Sequence, residues 1–278
     1  PLYVLVKEIK AVHDNFHIII DNYFCNARDG LSCPRSLTVY YKSYQILLTQ
    51  KQTTSGTTDL IYINNKQITP AYKNADLVIT STGINVVLEI LEINAEVWFN
   101  GLMFTISLPY SLFHQNTEGQ CGTCDNTWIN DCQLPSGNID PSCSNMANHW
   151  KITDKNKPYC ETPTPAPPPV TTPPPPPTTA STPCNPPICE IINSNIFEEC
   201  HKVIPPQPFY QACKSDVCHM PGTKNGCSSL EVYASICTSA GICIDWRNAT
   251  HGECVYNCPE NKVYLPCGPT VEPTCNAR

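Results

Sequence analysis

The chain has 278 residues and a formal net charge of −7. That length holds two or more domains, and the acidic balance excludes the basic footprint of a nucleic-acid-binding protein. Its 28 prolines and 19 cysteines are unevenly placed, and no apolar run approaches the ~18 residues of a membrane-spanning helix.

Residues 1–110 read as strands. In SLTVYYKSYQILL apolar residues alternate, with Leu37, Val39 and Tyr41 followed by Tyr44, Ile46 and Leu48. DLIYINNKQIT predicts a hairpin turning at Asn64 and Asn65. EVWFNGLMFTISL predicts a second hairpin, with Asn100-Gly101 in a two-residue type I′ turn between β-branched and aromatic flanks. Many short strands with regular turns point to an antiparallel sandwich. The loop-rich, cysteine-bearing segment 114–160 closes that domain, giving 1–160 as its bounds.

Residues 161–183, ETPTPAPPPVTTPPPPPTTASTP, follow. Proline fixes φ and removes N–H donors, so this segment is expected as a polyproline II spacer, on the order of 70 Å long at ~3.1 Å per residue. Its Thr162, Thr164, Thr171, Thr172, Thr178 and Thr179 match O-glycosylated, mucin-like stalk composition. Beyond it the character changes to short helices. CSSLEVYASICTSAG offers Ser228 or Ser229 as a cap, an apolar face of Leu230, Tyr233, Ala234 and Cys237, and Gly241 as the stop. ICEIINSNIFEEC and PFYQACKSDVC are compatible with helices, and the tail CPENKVYLPCGPTVEPTC has no periodicity.

Seven cysteines fall between Cys25 and Cys160 and twelve between Cys184 and Cys275. Such a load belongs to an oxidising compartment. Pro1 leads directly into strand-like sequence without a signal peptide, so the expectation is an internal stretch of a secreted protein. An odd count leaves at least one thiol unpaired within the chain, or paired with another chain.

One segment concentrates chemistry: GQCGTCDNTWINDC, Gly119 to Cys132. Three readings compete. CGTC invites a redox role, but Asp125 and Glu118 lie beside it, and negative neighbours raise a thiol pKa. Zinc at Cys121 and Cys124 has only His114 nearby. Structural disulfides in an Asx-rich turn are the third. Elsewhere, Asn248-Ala249-Thr250 is an N-glycosylation sequon in a polar loop. The seven histidines do not cluster, and no nucleophile–base pair sits in a strand-to-helix elbow, so no enzyme is expected.

Four stretches together resemble a known family. YVLVKEI, FHIIIDNYFC, the segment GLMFTISLPYSLFHQNTEGQCGTCDNTWINDCQLPSG and the series FEECHKVIPPQPFYQACKSDVC, SLEVYASICTSAGICIDWR and KVYLPCGPTVEPTCN resemble the von Willebrand factor type D assembly of gel-forming mucins. The match is to the assembly carboxy-terminal to the glycosylated region. The resemblance implies a mainly β type D domain over 1–160 lacking its first strand. A helical, disulfide-rich eight-cysteine domain over 184–257 and the start of a trypsin-inhibitor-like module over 258–278 follow. It assigns Cys189, Cys200, Cys213, Cys218, Cys227, Cys237, Cys243 and Cys254 to the eight, leaves Cys184 outside them, and gives Cys258, Cys267 and Cys275 to the next module. Cys25, Cys33, Cys121, Cys124, Cys132, Cys143 and Cys160 are expected in disulfides of the first domain.

In the family, Gly119–Cys132 resembles a calcium loop of the form CGNxDGNxxND. Asp125, Asn130 and Asp131 match its oxygen donors, Thr123 stands at an Asn position, and Thr127 supplies a carbonyl or replaces an Asn. Calcium takes six to eight oxygens, so the expected ligands are Thr123, Asp125, Thr127, Asn130 and Asp131. Asp140-Pro141 is followed by Ser142, so the self-cleavage of some relatives is not expected. The implied role is structural, in a secreted mucus protein linked to other mucin chains. The alternative is an adhesive extracellular module like those of von Willebrand factor or zonadhesin-like proteins.

Overall fold

The computed structural model describes residues 1–26, 31–54, 56–81, 85–156, 184–220, 223–258, 260 and 263–268. Cys160, the 161–183 spacer with its threonines, and Cys275 lie outside them, as does the side chain of Cys25. The chain forms two compact units, Pro1–Val170 and Thr171–Arg278.

The first unit is built from two antiparallel sheets. One runs in the order β12 (Thr117–Glu118), β1 (Leu2–Glu8), β2 (His17–Asn26), β3 (Leu31–Tyr41), β4 (Tyr44–Thr53), β5 (Gly56–Ile63), β6 (Lys66–Ile68), with β13 (Lys151–Ile152) also on β1. The other runs β11 (Phe104–Ser107), β10 (Ala95–Phe99), β9 (Val86–Ile90), β8 (Leu77–Ser81), β7 (Tyr72–Lys73). The alternation read from sequence is the alternation of burial. Leu37, Val39, Tyr41, Ile46, Leu48 and Ile61 from the first sheet meet Leu77, Ile79, Leu88, Ile90, Val97 and Phe99 from the second in one core. Each such side chain contributes roughly 1.5–3 kcal/mol by leaving water. Two short helices, α1 (Tyr110–Phe113) and α2 (Cys143–His149), sit in the loop-rich return.

The turns follow local chemistry. Asn64 and Asn65 have φ of 50° and 65°, and Ile63 pairs with Lys66, which makes the two-residue turn that asparagine tolerates. Asn100-Gly101 departs from expectation. Phe99 pairs with Phe104, so the loop has four residues, 100–103, and of these only Gly101 has positive φ. The Asn100 side chain explains the longer loop, because its Oδ1 accepts from the N–H groups of Leu102 and Met103. Buried Glu8 is satisfied in the β1–β2 connection, where it accepts the His13 and Phe16 N–H groups and lies 2.6 Å from His13 Nδ1.

The second unit packs α3 (Pro187–Asn193), α4 (Glu198–His201), α5 (Gln207–His219) and α6 (Thr223–Ser239) around Tyr233. The Tyr233 ring lies 5.0 Å from Phe197 and 4.8 Å from Phe209, and its hydroxyl donates to the Ile204 carbonyl. Sequence reasoning placed the start of α6 at Ser228 or Ser229. The helix begins at Thr223 instead, and Ser229 Oγ bonds back to the Asn225 carbonyl one turn earlier, as mid-helix serines do. At the other end Gly241, at φ 82°, closes a Schellman motif, with Ile242 N–H on Cys237 O and Gly241 N–H on Thr238 O.

Five disulfides brace this unit: Cys184–Cys218, Cys189–Cys213, Cys200–Cys237, Cys227–Cys254 and Cys243–Cys267. Two of these bridges reach beyond the eight cysteines assigned by resemblance. Cys184, placed outside the eight, bridges to Cys218 near the end of α5. Cys267, placed in the next module, returns to Cys243, so the described tail is fastened to the helical unit.

The bridge between α4 and α6 closes a sequence separation of 37 residues with both sulfurs fully buried. Replacing Cys200 and Cys237 together by serine should cost about 2–5 kcal/mol. The measurement is the urea midpoint of the helical circular-dichroism signal.

Candidate functional site

The Gly119–Cys132 segment is laid against β1, and a local irregularity in β1 receives it. Val4 pairs with Ile19 and Val6 with Ile18 on β2, so Leu5 is an extra residue, a β-bulge. The carbonyls of Val4 and Leu5 accept the N–H groups of Gln120 and Cys121 at 3.0 and 2.8 Å. The approach is close enough to dictate sequence. Gly119 sits at φ 126°, and a Cβ there would fall 2.5 Å from the Leu5 oxygen. Gly122, at φ 76°, lies directly under the Asp131 side chain, which a Cβ would strike.

Thr117, buried in β12, ties the loop from below. Its Oγ1 donates to the Gly122 carbonyl and accepts the Cys124 N–H at 2.9 Å. Sequence reasoning missed this residue, since a threonine in a strand carries no signal of its partner. On the far side Cys132 is bridged to Cys143 at the start of α2. Gln120 Nε2 reaches the Ala147 carbonyl, and the Val4 N–H donates to Trp150 O.

Within this frame the structure gathers all five expected ligands into one hydrogen-bonded cluster. Asp125 accepts the Thr127 N–H at 2.9 Å and the Asn130 amide at 2.6 Å. Thr123 donates its N–H to Asp131 at 3.3 Å, and its hydroxyl lies 3.4 Å from Asn130 Oδ1. Thr127 enters through its N–H. The Asn130 bond holds the Asp125 carboxyl below its ordinary range, while burial and the neighbouring Asp125 charge raise that of Asp131. Two carboxylates, an amide oxygen and a hydroxyl are hard donors that suit calcium better than zinc. Among the described residues no three His, Cys, Asp or Glu side chains group as a metal site. At the loop's outer edge Trp128 and Ile129 are 82% and 69% exposed.

Among the described residues Cys121 and Cys124 form no bridge, and Cys160 and the Cys25 side chain lie outside those residues. Cys132 and Cys143, the next cysteines along the chain, are bonded to each other. Cys121 keeps exposed surface, yet burial of its sulfur and the Asp131 carboxylate push the thiol up to about 12. A thiolate needs water on the sulfur itself, so partial exposure of the residue does not relieve that cost. Cys124 is raised by burial and by Asp125 and Asp131. Both shifts oppose the redox reading. Asn248 lies in the other unit, exposed on a 3₁₀ turn spanning Arg247–Thr250.

Residues 1–138 match the von Willebrand factor type D domain and residues 188–255 match the C8 domain. The β unit and the helical unit are therefore a type D domain followed by a C8 domain. The chain is 43% identical to human Mucin-5AC over 98% of its length and 42% identical to human Mucin-2 over 99%. It is 41% identical to a rat intestinal mucin-like protein, again over 99%. The chain belongs to the gel-forming mucin family, as part of its type D–C8 region. It spans 5% of each human mucin and 33% of the rat protein.

Two outcomes follow for the loop. Gly122→Ala should destabilise the first unit by about 1–3 kcal/mol through strain at positive φ and collision with Asp131, read by denaturant unfolding. Iodoacetamide should label native Cys121 slowly at neutral pH. A thiol at about 12 rather than 9.0 holds roughly a thousandth of the thiolate there. Labelling followed by mass spectrometry should accelerate as pH rises past 9 toward 12, and on unfolding at neutral pH.

Proposed function

We propose that this chain is a structural, non-catalytic segment of a secreted gel-forming mucin, contributing disulfide-braced modules to assembly of the mucus gel. The single observation that carries the reading is the set of five bridges that lock four short helices around one aromatic core. A unit closed this way survives an extracellular lumen without a large core. The partners in this reading are other mucin chains. In this reading the 161–183 segment is O-glycosylated at its threonines. Secretion of the whole protein into mucus is part of the same proposal.

The proposal includes calcium. Thr123, Asp125, Thr127, Asn130 and Asp131 are the residues that would hold it, and the donor set supports that reading. The ion would neutralise the Asp125–Asp131 pair and stiffen the loop. Beyond this the loop's own bonds to Val4, Leu5 and Thr117 keep it in place.

Calorimetric titration of the chain with calcium should give a saturable heat that Asp125→Asn and Asp131→Asn each abolish. A flat titration at millimolar calcium would remove the metal from the proposal. For the structural role, non-reducing peptide mapping of the secreted protein should recover the five bridges intact. A fully reduced, still folded protein would overturn it.

A further inference from the structure

The sequon and a cleft beside it belong together. The cleft, about 290 Å³, is walled by Asp245, Arg247, Asn248, Tyr256, Tyr264 and Pro266, among others. That volume is at the lower edge of the roughly 300–1,000 Å³ of small-ligand sites, the scale of a single sugar ring. The Tyr256 and Tyr264 rings lie 5.3 Å apart at 28°, and the Arg247 guanidinium stands over both. Arg247 is itself pinned by the Cys254 carbonyl and the Tyr264 hydroxyl. Aromatic faces beside fixed polar groups are what the apolar face and the hydroxyls of a pyranose need. The acceptor stands in the wall: Asn248 is exposed, and its Nδ2 donates to Asp245.

We infer that Asn248 carries an N-linked glycan whose first sugar ring seats in this cleft and splints the 263–267 tail to the helical unit. The inference rests on the secretory reading above. In the transfer, Asn248 Nδ2 bonds to the anomeric carbon of a polyisoprenyl-diphosphate oligosaccharide. The anomeric carbon–oxygen bond breaks, the diphosphate leaves with the electron pair, and one amide proton is lost to a base. The second amide hydrogen remains, so the bond to Asp245 persists and aims the sugar.

The sequon's hydroxyl gives the order of events. Thr250 is buried, donates to the Arg247 carbonyl and accepts the Cys254 N–H. A transferase that must read this hydroxyl has no access to it in the folded unit. Attachment therefore precedes the packing of the 3₁₀ turn and closure of Cys227–Cys254.

The test expresses the chain in animal cells behind a cleavable secretory leader. Peptide-N-glycosidase treatment of the secreted protein should convert Asn248 to aspartate in the mass spectrum. Hydrogen exchange across 263–268 should be several-fold faster in N248Q than in the glycosylated protein. Release of the glycan from the native protein should be several-fold slower than from Y256A/Y264A. Secreted protein with unmodified Asn248 overturns the inference and leaves the secretory reading standing, whereas a folded chain retained inside the cell overturns that reading. A modified Asn248 with unchanged exchange and unchanged release rate overturns the seating. Should Y256A/Y264A not fold, the N248Q comparison decides alone.

Discussion

The close approach of Gly119–Cys121 to the bulge at Leu5 is the contact on which the candidate site depends. β1 lies between β2 on one side and β12 and β13 on the other. A regular β1 would commit its carbonyls in step with β2. The extra residue at Leu5 breaks that step, and Val4 and Leu5 instead receive consecutive N–H groups of the loop. Because backbone meets backbone there, no side chain fits between them, which is why position 119 is glycine. The same geometry turns the chain so that Gly122 tucks beneath Asp131 and the polar residues 123–131 fold over each other. Thr117 and the Cys132–Cys143 bridge then hold the loop's two ends. The oxygen cluster is thus a consequence of how β1 is built, more than of the cluster's own hydrogen bonds, most of which are exposed or half-buried and individually worth about 1 kcal/mol.

Much of this architecture was legible in the residues, for reasons that differ by element. The alternation of β3 and β4 and the β5–β6 hairpin were readable because alternating burial and left-handed asparagines are local signals. The Asn100-Gly101 loop was misjudged in length because the Asn100 side chain, rather than the backbone, satisfies the turn. The start of α6 was misplaced because serine can cap a helix or bond back within one, and only the tertiary fold decides between them. Disulfide pairing is the plainest case. Cysteine spacing announces that bridges exist, yet which sulfurs meet depends on helix packing that spacing does not encode. Hence Cys184 and Cys267 were counted outside a set to which they are bonded. In the loop, the five donor residues were readable through the family pattern, whereas Leu5 and Thr117, which position them, lie far away in sequence and have no motif.

The two units answer the same thermodynamic demand in different ways. The first has long alternating strands and draws on both sheets for a continuous apolar core, so burial supplies the larger share of its stability. The second has helices of four to seventeen residues, most of them too short to be stable alone, and five of the eleven buried residues of its core are half-cystines: Cys189, Cys200, Cys213, Cys237 and Cys254 lie beside Ile192, Phe197, Leu230, Tyr233, Ala234 and Trp246. In that setting a half-cystine acts twice, as an apolar core residue and as a restraint on the unfolded chain. Removing one bridge therefore also opens a polar or empty space in the core, and the two costs fall together. Such a unit gains its fold only as its sulfurs oxidise, which ties its folding to the redox state of the compartment rather than to chain composition alone. The type D domain leans less on sulfur, since the buried side chains of its core cluster include no cysteine.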